Sequence, residues 1–379
     1  MLDYGTLRVI WWALLGVLLV GFAMFDGFDL GAAMLHPFVA RKDIERRVVI
    51  NAIGPVWEGN QVWFILGGGA IFAAWPPLYS ASFSGFYLAM LLVLIGFILR
   101  PVSIVFRGKM DNPRWRAAWD WIFFVSGVLP SLLFGVAFGN VLLGVPFHFA
   151  AGLRFTYEGG LLGLLRPFPL LCGAISVSML LMQGSAWLAG KGEGEVAARA
   201  ARIGALAALT LVALFLAAGL WIAVGVDGYR IDSVVDPAGP SNPFGKQVTR
   251  GAGDWLLNYA RHPLSILAPA AGLVGGLVAA VALAAGAKRV ALLASSVATA
   301  GVVTTAGFSM FPFLLPSSSH PNESLTVWDA SSSQPTLGLM LAAALFFLPI
   351  VLAYTSWVYY VLRGPVTETA IERGDHSYY

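Results

Sequence analysis

The chain has 379 residues, of which 58% are hydrophobic and 11% charged, against the roughly 25% charged residues of a soluble domain. A soluble fold of this size cannot hide so much apolar surface, so part of its solvent is lipid. The formal charge of +3, with no basic cluster interleaved with aromatics, excludes nucleic acid as a partner, and the single cysteine, Cys172, excludes an internal disulfide and a thiolate metal site.

Apolar runs of the roughly 17–25 residues that cross a hydrocarbon core recur near 7–35, 52–74, 82–104, 121–143, 167–190, 203–225, 264–284, 289–311 and 339–361. The expected fold class is all-α: a polytopic integral membrane protein of about nine transmembrane helices, forming a single membrane domain over 1–379. The first run is too long for a signal-peptide core and lacks a small-residue cleavage site, so no cleavable signal is expected. A faint repeat pairs Met24-Phe25-Asp26-Gly27 in the first run with Met182-Gln183-Gly184 in the fifth. It suggests two four-helix bundles, over 1–146 and 165–312, with a peripheral ninth helix at 339–362.

Lysine and arginine set the orientation. Connections after odd-numbered spans, with the C-terminal tail, hold fifteen, among them Arg41, Arg46, Arg107, Arg116, Lys191 and Arg199; the opposite side holds seven. The richer side is expected to be cytoplasmic, which puts the N-terminus outside and the C-terminus inside. Two long connections, about 228–262 and 312–338, then fall outside and read as ordered caps rich in Pro, Ser, Asn and Gly.

Charges within spans are costly and usually functional or paired. Asp26 and Asp29, three residues apart in the first span, share a helix face. The second span opens Gly54-Pro55-Val56-Trp57-Glu58-Gly59-Asn60-Gln61, with Glu58 and Gln61 on one face. Arg100 ends the third span and Asp120 begins the fourth. All five charges lie toward the cytoplasmic half. Arg100 and Asp120 read as an ion pair, structural or part of a pathway; Asp26, Asp29 and Glu58 read as a proton path, supported by Trp57, Asn60 and Gln61. One arginine cannot neutralise three carboxylates, and burial favours the protonated form of those left over.

His36, His148, His262, His320 and His376 sit at span ends, in loops or in the tail, none mid-span where a haem would need an axial ligand. No Glu-x-x-His or His-x-x-x-His pair occurs, so no metal site is expected. Gly67-Gly68-Gly69 lies within a span and reads as a close helix contact.

The motifs, in order, are Leu7-Arg8, Trp11-Trp12, Asp26-Gly27-Phe28-Asp29-Leu30-Gly31 and Trp57-Glu58-Gly59-Asn60-Gln61-Val62-Trp63. Next come Phe72-Ala73-Ala74-Trp75-Pro76, Phe83-Ser84-Gly85-Phe86-Tyr87, Arg100-Pro101, Trp119-Asp120-Trp121 and Gly135-Val136-Ala137-Phe138-Gly139-Asn140. Met310-Phe311-Pro312-Phe313 and Ser324-Leu325-Thr326-Val327-Trp328-Asp329-Ala330 close the series. Over essentially its full length the chain closely resembles subunit II of bacterial cytochrome bd quinol oxidases. That resemblance implies a multi-pass subunit of the bacterial cytoplasmic (inner) membrane, forming a heterodimer with a subunit I. Subunit I would ligate haem b and haem d and bind quinol. The complex would oxidise quinol outside and reduce O2 to water with cytoplasmic protons, building a proton motive force. This chain would scaffold subunit I and line part of the proton path, with no catalytic residue or complete redox site of its own. A small single-helix accessory subunit, and a structural quinone or lipid in this chain, stay open. The alternative reading is a secondary ion-coupled transporter, whose site would lie nearer the midplane.

Overall fold

The computed structural model describes residues 2–150 and 152–373. The helices are α1 (Tyr4–Val39), α2 (Asp43–Ile53), α3 (Trp57–Ala74), α4 (Pro76–Gly85), α5 (Tyr87–Arg107), α6 (Pro113–Leu143), α7 (Pro167–Lys191), α8 (Gly194–Gly225), α9 (Leu257–Arg261), α10 (Leu267–Ala284), α11 (Lys288–Met310), α12 (Gln334–Val361) and α13 (Glu368–Glu372). Three antiparallel hairpins decorate one end: β1 (Phe147–Ala150) with β2 (Arg154–Tyr157), β3 (Asp227–Ile231) with β4 (Val248–Ala252), and β5 (Phe313–Leu315) with β6 (Leu325–Thr326).

Eight helical segments among the described residues are long and apolar enough to cross a membrane: α1, α5, α6, α7, α8, α10, α11 and α12. The ninth expected span is α3, whose polar first turns, Trp57-Glu58-Gly59-Asn60-Gln61, dilute an otherwise apolar helix. At 18 residues it reaches about 27 Å. Two expected spans begin later than the apolar pattern suggests. Gly54-Pro55 separates the amphipathic α2 from α3, and α4 precedes the third crossing, which begins at Tyr87.

Local sequence explains the boundaries. Asp3 caps α1 by accepting from Thr6 N at 3.2 Å, and Asn112 caps α6 by accepting from Arg114 N at 2.9 Å. Gly144, with φ of 83°, ends α6 in a backbone conformation that side-chain-bearing residues avoid. A very close helix contact falls at Gly31 of α1 and Gly184 of α7. A Cβ built on Gly31 would stand 2.8 Å from Gly184 Cα, so only glycine admits this approach.

Helix α1 lies against α3, α6, α7 and α11, while α8, α10 and α11 close around α7. Helix α12 lies outside these helices, burying Leu337 alone. The two ends differ in chemistry. At the loop end, the long connections fold over the start of α1. There Arg8 is fully buried, donating to Ser331 Oγ at 2.7 Å, Pro237 O at 2.5 Å and Ser241 Oγ at 3.0 Å. Lys246 and Asp329 add a buried pair at 2.7 Å. The opposite, basic end carries α2, α13 and a belt of arginine–carboxylate pairs.

Candidate functional site

Asp26 and Asp29 project from one face of α1 and are fully buried. Asp26 Oδ1 accepts from Arg100 Nη2 of α5 at 2.7 Å. Asp29 Oδ2 accepts from Asn60 Nδ2 of α3 at 2.8 Å, and Asn60 Oδ1 accepts from the Tyr359 hydroxyl of α12 at 2.6 Å. The two neighbours of Asn60 fix its amide orientation, because one side accepts and the other donates. Trp57 is buried alongside, its ring 5.7 Å from the Arg100 guanidinium, and the Phe97 ring lies 5.4 Å away on another side. Asp26 Oδ2, Asp29 Oδ1, Arg100 Nε and Arg100 Nη1 make no hydrogen bond to the described residues, so the group keeps unused capacity for further donors and acceptors.

The expected Arg100–Asp120 pair does not form. Arg100 meets Asp26, whereas Asp120 is held by Arg107 Nε at 2.6 Å and Arg46 Nη1 at 2.6 Å, with His36 Nε2 at 3.6 Å. The reason is helical. Arg107 follows Arg100 by two turns on the same buried face of α5, with Ser103 between them, so the residue nearest the start of α6 is Arg107. The α1 side repeats the arrangement, since His36 follows Asp29 by two turns. These two stripes join the basic-end cluster to the mid-bundle carboxylates across about 10 Å of helix. Arg107 also binds Asp43 at 2.6 Å, and Arg199 binds Glu45 at 2.9 Å. The Arg199 guanidinium, with the backbone N–H groups of Arg41 and Lys42, outweighs burial and holds the Glu45 carboxyl down at about 2.

Glu58 stands apart from the aspartates. Successive helical residues turn by about 100°, so with Asn60 aimed at Asp29, Glu58 faces roughly the opposite way. It is exposed, and no described residue pairs with it. Gln61 is half-buried, without a hydrogen bond among the described residues. Glu58, Val62, Ile65, Gly69 and Phe72 form one uncovered stripe along α3. The glycine triplet makes no close contact within this chain: a Cβ at Gly67, Gly68 or Gly69 would meet nothing within 4 Å.

Sequence reading missed Tyr359, Arg107, Arg46 and His36. The i, i+3, i+7 spacing of Arg100, Ser103 and Arg107 carries the signal for one of them; nothing in the local sequence marks Tyr359. Among the described residues no histidine lies mid-span. His36 is enclosed between Asp120 and the edge-on Phe123 ring at 5.2 Å, His148, His262 and His320 lie in the loop-end connections, and His376 lies outside the described residues. Between α1, α3, α6, α7, α8, α10 and α11 lies an apolar cavity of about 600 Å³, lined by Phe22, Phe64, Phe134, Phe168, Met179 and Phe215 among others.

A bundle of apolar helices around buried, paired carboxylates and arginines defines a multi-pass membrane protein with charges held inside its helices. The sequence matches the family described as cytochrome bd terminal oxidase subunit II over residues 7–362. It is 47% identical over 379 residues to the cytochrome bd-I ubiquinol oxidase subunit 2 of Escherichia coli, covering all of both chains. It is 46% identical to the probable cytochrome oxidase subunit 2 of Haemophilus influenzae, again end to end. To the cytochrome bd ubiquinol oxidase subunit 2 of Bacillus subtilis it is 31% identical, over 96% of this chain and 98% of that one. The bd oxidase structure from Geobacillus thermodenitrificans shares the fold, with a TM-score of 0.64 at 15% identity over 94% of this chain and 99% of that one.

The chain belongs to the cytochrome bd terminal oxidase subunit II family. It is thus one subunit of a haem-dependent respiratory oxidoreductase, with a subunit I as its counterpart. The transporter reading has no support.

Proposed function

We propose that this chain scaffolds the haem-bearing subunit of a quinol:oxygen oxidoreductase and delivers protons to it from the basic end of the bundle. The observation that carries the reading is the buried carboxylate ladder and its direction. It starts at Asp120, Arg107 and His36 near the basic surface and continues through Asp29 and Asp26, while Glu58 stands apart on the uncovered face of α3. One arginine beside Asp26 and Asp29 offsets one carboxylate, leaving the other free to cycle its proton. Asn60 and Tyr359 hold Asp29 in place, and Arg100 fixes Asp26.

The uncovered α3 stripe suits docking of subunit I. Gly69 lets a partner helix approach closely, and Glu58 is a membrane-embedded carboxylate that needs a partner. Haem b and haem d, which supply the electron transfer and oxygen chemistry of the complex, belong in this reading to subunit I, as does the quinol site. The basic end faces the cytoplasm of a bacterial inner membrane and the loop end faces outside. Residues 1–146 and 165–312 form the two halves of a pseudo-repeat. The apolar cavity suits a quinone tail or lipid acyl chain. The outer face of α12, with Leu345, Phe346 and Ile350 exposed, offers room for a single-helix accessory subunit.

The test is Asp29→Asn in the assembled oxidase. Quinol-driven oxygen consumption should fall at least tenfold with haem spectra unchanged. Undiminished turnover would remove the aspartate from the path.

A further inference from the structure

At the loop end, far from the carboxylate ladder, two histidines and a glutamate from separate segments converge. His148 lies in β1, paired in register with Thr156 of β2, and Glu158 follows that strand. His320 ends the segment after β5. His148 Nδ1 and Glu158 Oε1 are 2.7 Å apart, the two imidazole centroids are 5.2 Å apart, and one ligating atom from each of the three residues lies within 4.8 Å of the others. All three side chains are partly or largely open to solvent.

The backbone beneath them is tied from both sides. Val145 N donates to Pro316 O at 2.9 Å, Ser318 N donates to Val145 O at 3.0 Å, and Glu158 N donates to Pro146 O at 3.0 Å. Ser317 and Ser319 donate their hydroxyls to Phe147 O at 2.5 and 3.0 Å, and His320 N donates to Ser317 Oγ at 3.0 Å. The side chains are therefore presented on a braced platform. No short histidine spacing in the sequence marks such a site, because its ligands come from two connections.

We propose that His148, Glu158 and His320 form a zinc site that staples the β1–β2 hairpin to the connection between α11 and α12. Two imidazoles and a carboxylate are the ligand set of open zinc sites, in which water takes the fourth place. Tetrahedral bonds of about 2.0–2.2 Å put ligand atoms roughly 3.3–3.5 Å apart, so small side-chain rotations bring the three into range. Imidazole donors favour zinc over magnesium, which prefers oxygen ligands and octahedral geometry. Solvent access gives the ion a route in.

The experiment uses the intact oxidase, purified through a tag without histidines, stripped with chelator, given Zn2+ and desalted. Elemental analysis should find one more retained zinc per complex in wild type than in the His148→Asn/His320→Asn variant. Zinc-edge X-ray absorption should show two imidazole ligands in the wild type. Zn2+, but not Mg2+, should raise the unfolding temperature of the wild type and leave the variant unmoved. Glu158→Gln, which preserves both imidazoles and the loop backbone, should weaken zinc at least tenfold. Equal zinc retention in wild type and both variants, or an absorption spectrum without imidazole ligands, would overturn the proposal.

Discussion

The Tyr359 hydroxyl donates to Asn60 Oδ1 at 2.6 Å, tying the helix that buries least of itself to the polar heart of the bundle. Its ring also packs against Phe25 and Trp187, at centroid distances of 5.9 and 6.0 Å. At the basic end of α12, Tyr359 thus both anchors the helix and orients the Asp29 partner.

Tyr359→Phe keeps those ring contacts and removes only the hydroxyl. It leaves a buried amide oxygen without its donor, at a cost of about 1–3 kcal/mol. The expected outcome is a lower unfolding temperature and a severalfold slower oxygen reduction with haem content preserved. Oxygen electrode rates and difference spectra on the same preparation check both parts.

Arg100 and Asp26 form a buried pair at 2.7 Å. Arg100→Gln strands a carboxylate in a dry site, and breaking such pairs costs about 3–5 kcal/mol. Asp26→Asn/Arg100→Gln removes both charges and should recover much of the yield of assembled complex lost in Arg100→Gln. A double-mutant cycle on thermal stability measures the coupling. Independent effects of the two changes would show that the pair contributes no mutual stabilisation.

Two glycines should behave oppositely. Gly31→Ala drives a methyl into Leu180 O and Gly184 and should destabilise the chain itself by at least about 1–3 kcal/mol. A Cβ at Gly69 meets nothing within 4 Å in this chain, and the position is exposed, so with Gly69→Leu the isolated chain should keep its stability and helical circular dichroism while co-purification with subunit I falls. Unimpaired co-purification would place the subunit contact elsewhere than on α3.

Glu45 gives a pH dependence with a definite sign. Its carboxyl is held at about 2, below the usual value of about 4.3, so the native state binds its proton less readily than the unfolded chain. The stabilisation is fully present above the usual carboxylate range and is lost as pH falls through that range toward about 2. Glu45→Gln should therefore lower the unfolding temperature near neutrality, and its deficit against wild type should narrow in acid. Thermal unfolding across that range checks the sign.

Much of this architecture is visible in the residues alone. The apolar runs located the crossings, and the arginine bias separated the basic end from the loop end. What periodicity could not supply was pairing between helices. Arg100 and Asp120 both fall near span ends, so they looked like partners until α5 placed Arg107 between them. Glu58 and Asp29 lie at similar depth, yet two residues of helical rotation turn Glu58 outward while Asn60 takes the inward position. Tyr359 is remote in sequence from everything it serves, and an aromatic near the end of a span is most often an interfacial anchor. The His148, Glu158 and His320 cluster is illegible for the same reason, since long loops bring together what no local spacing foretells.

The most direct test of proton supply through this chain is oxygen reduction by the Glu58→Gln oxidase, measured beside its haem spectrum and its proton uptake in proteoliposomes. The account predicts wild-type haem content and assembly with turnover and uptake reduced at least tenfold together. Wild-type turnover and uptake in that variant would contradict it, and would remove Glu58 from the path.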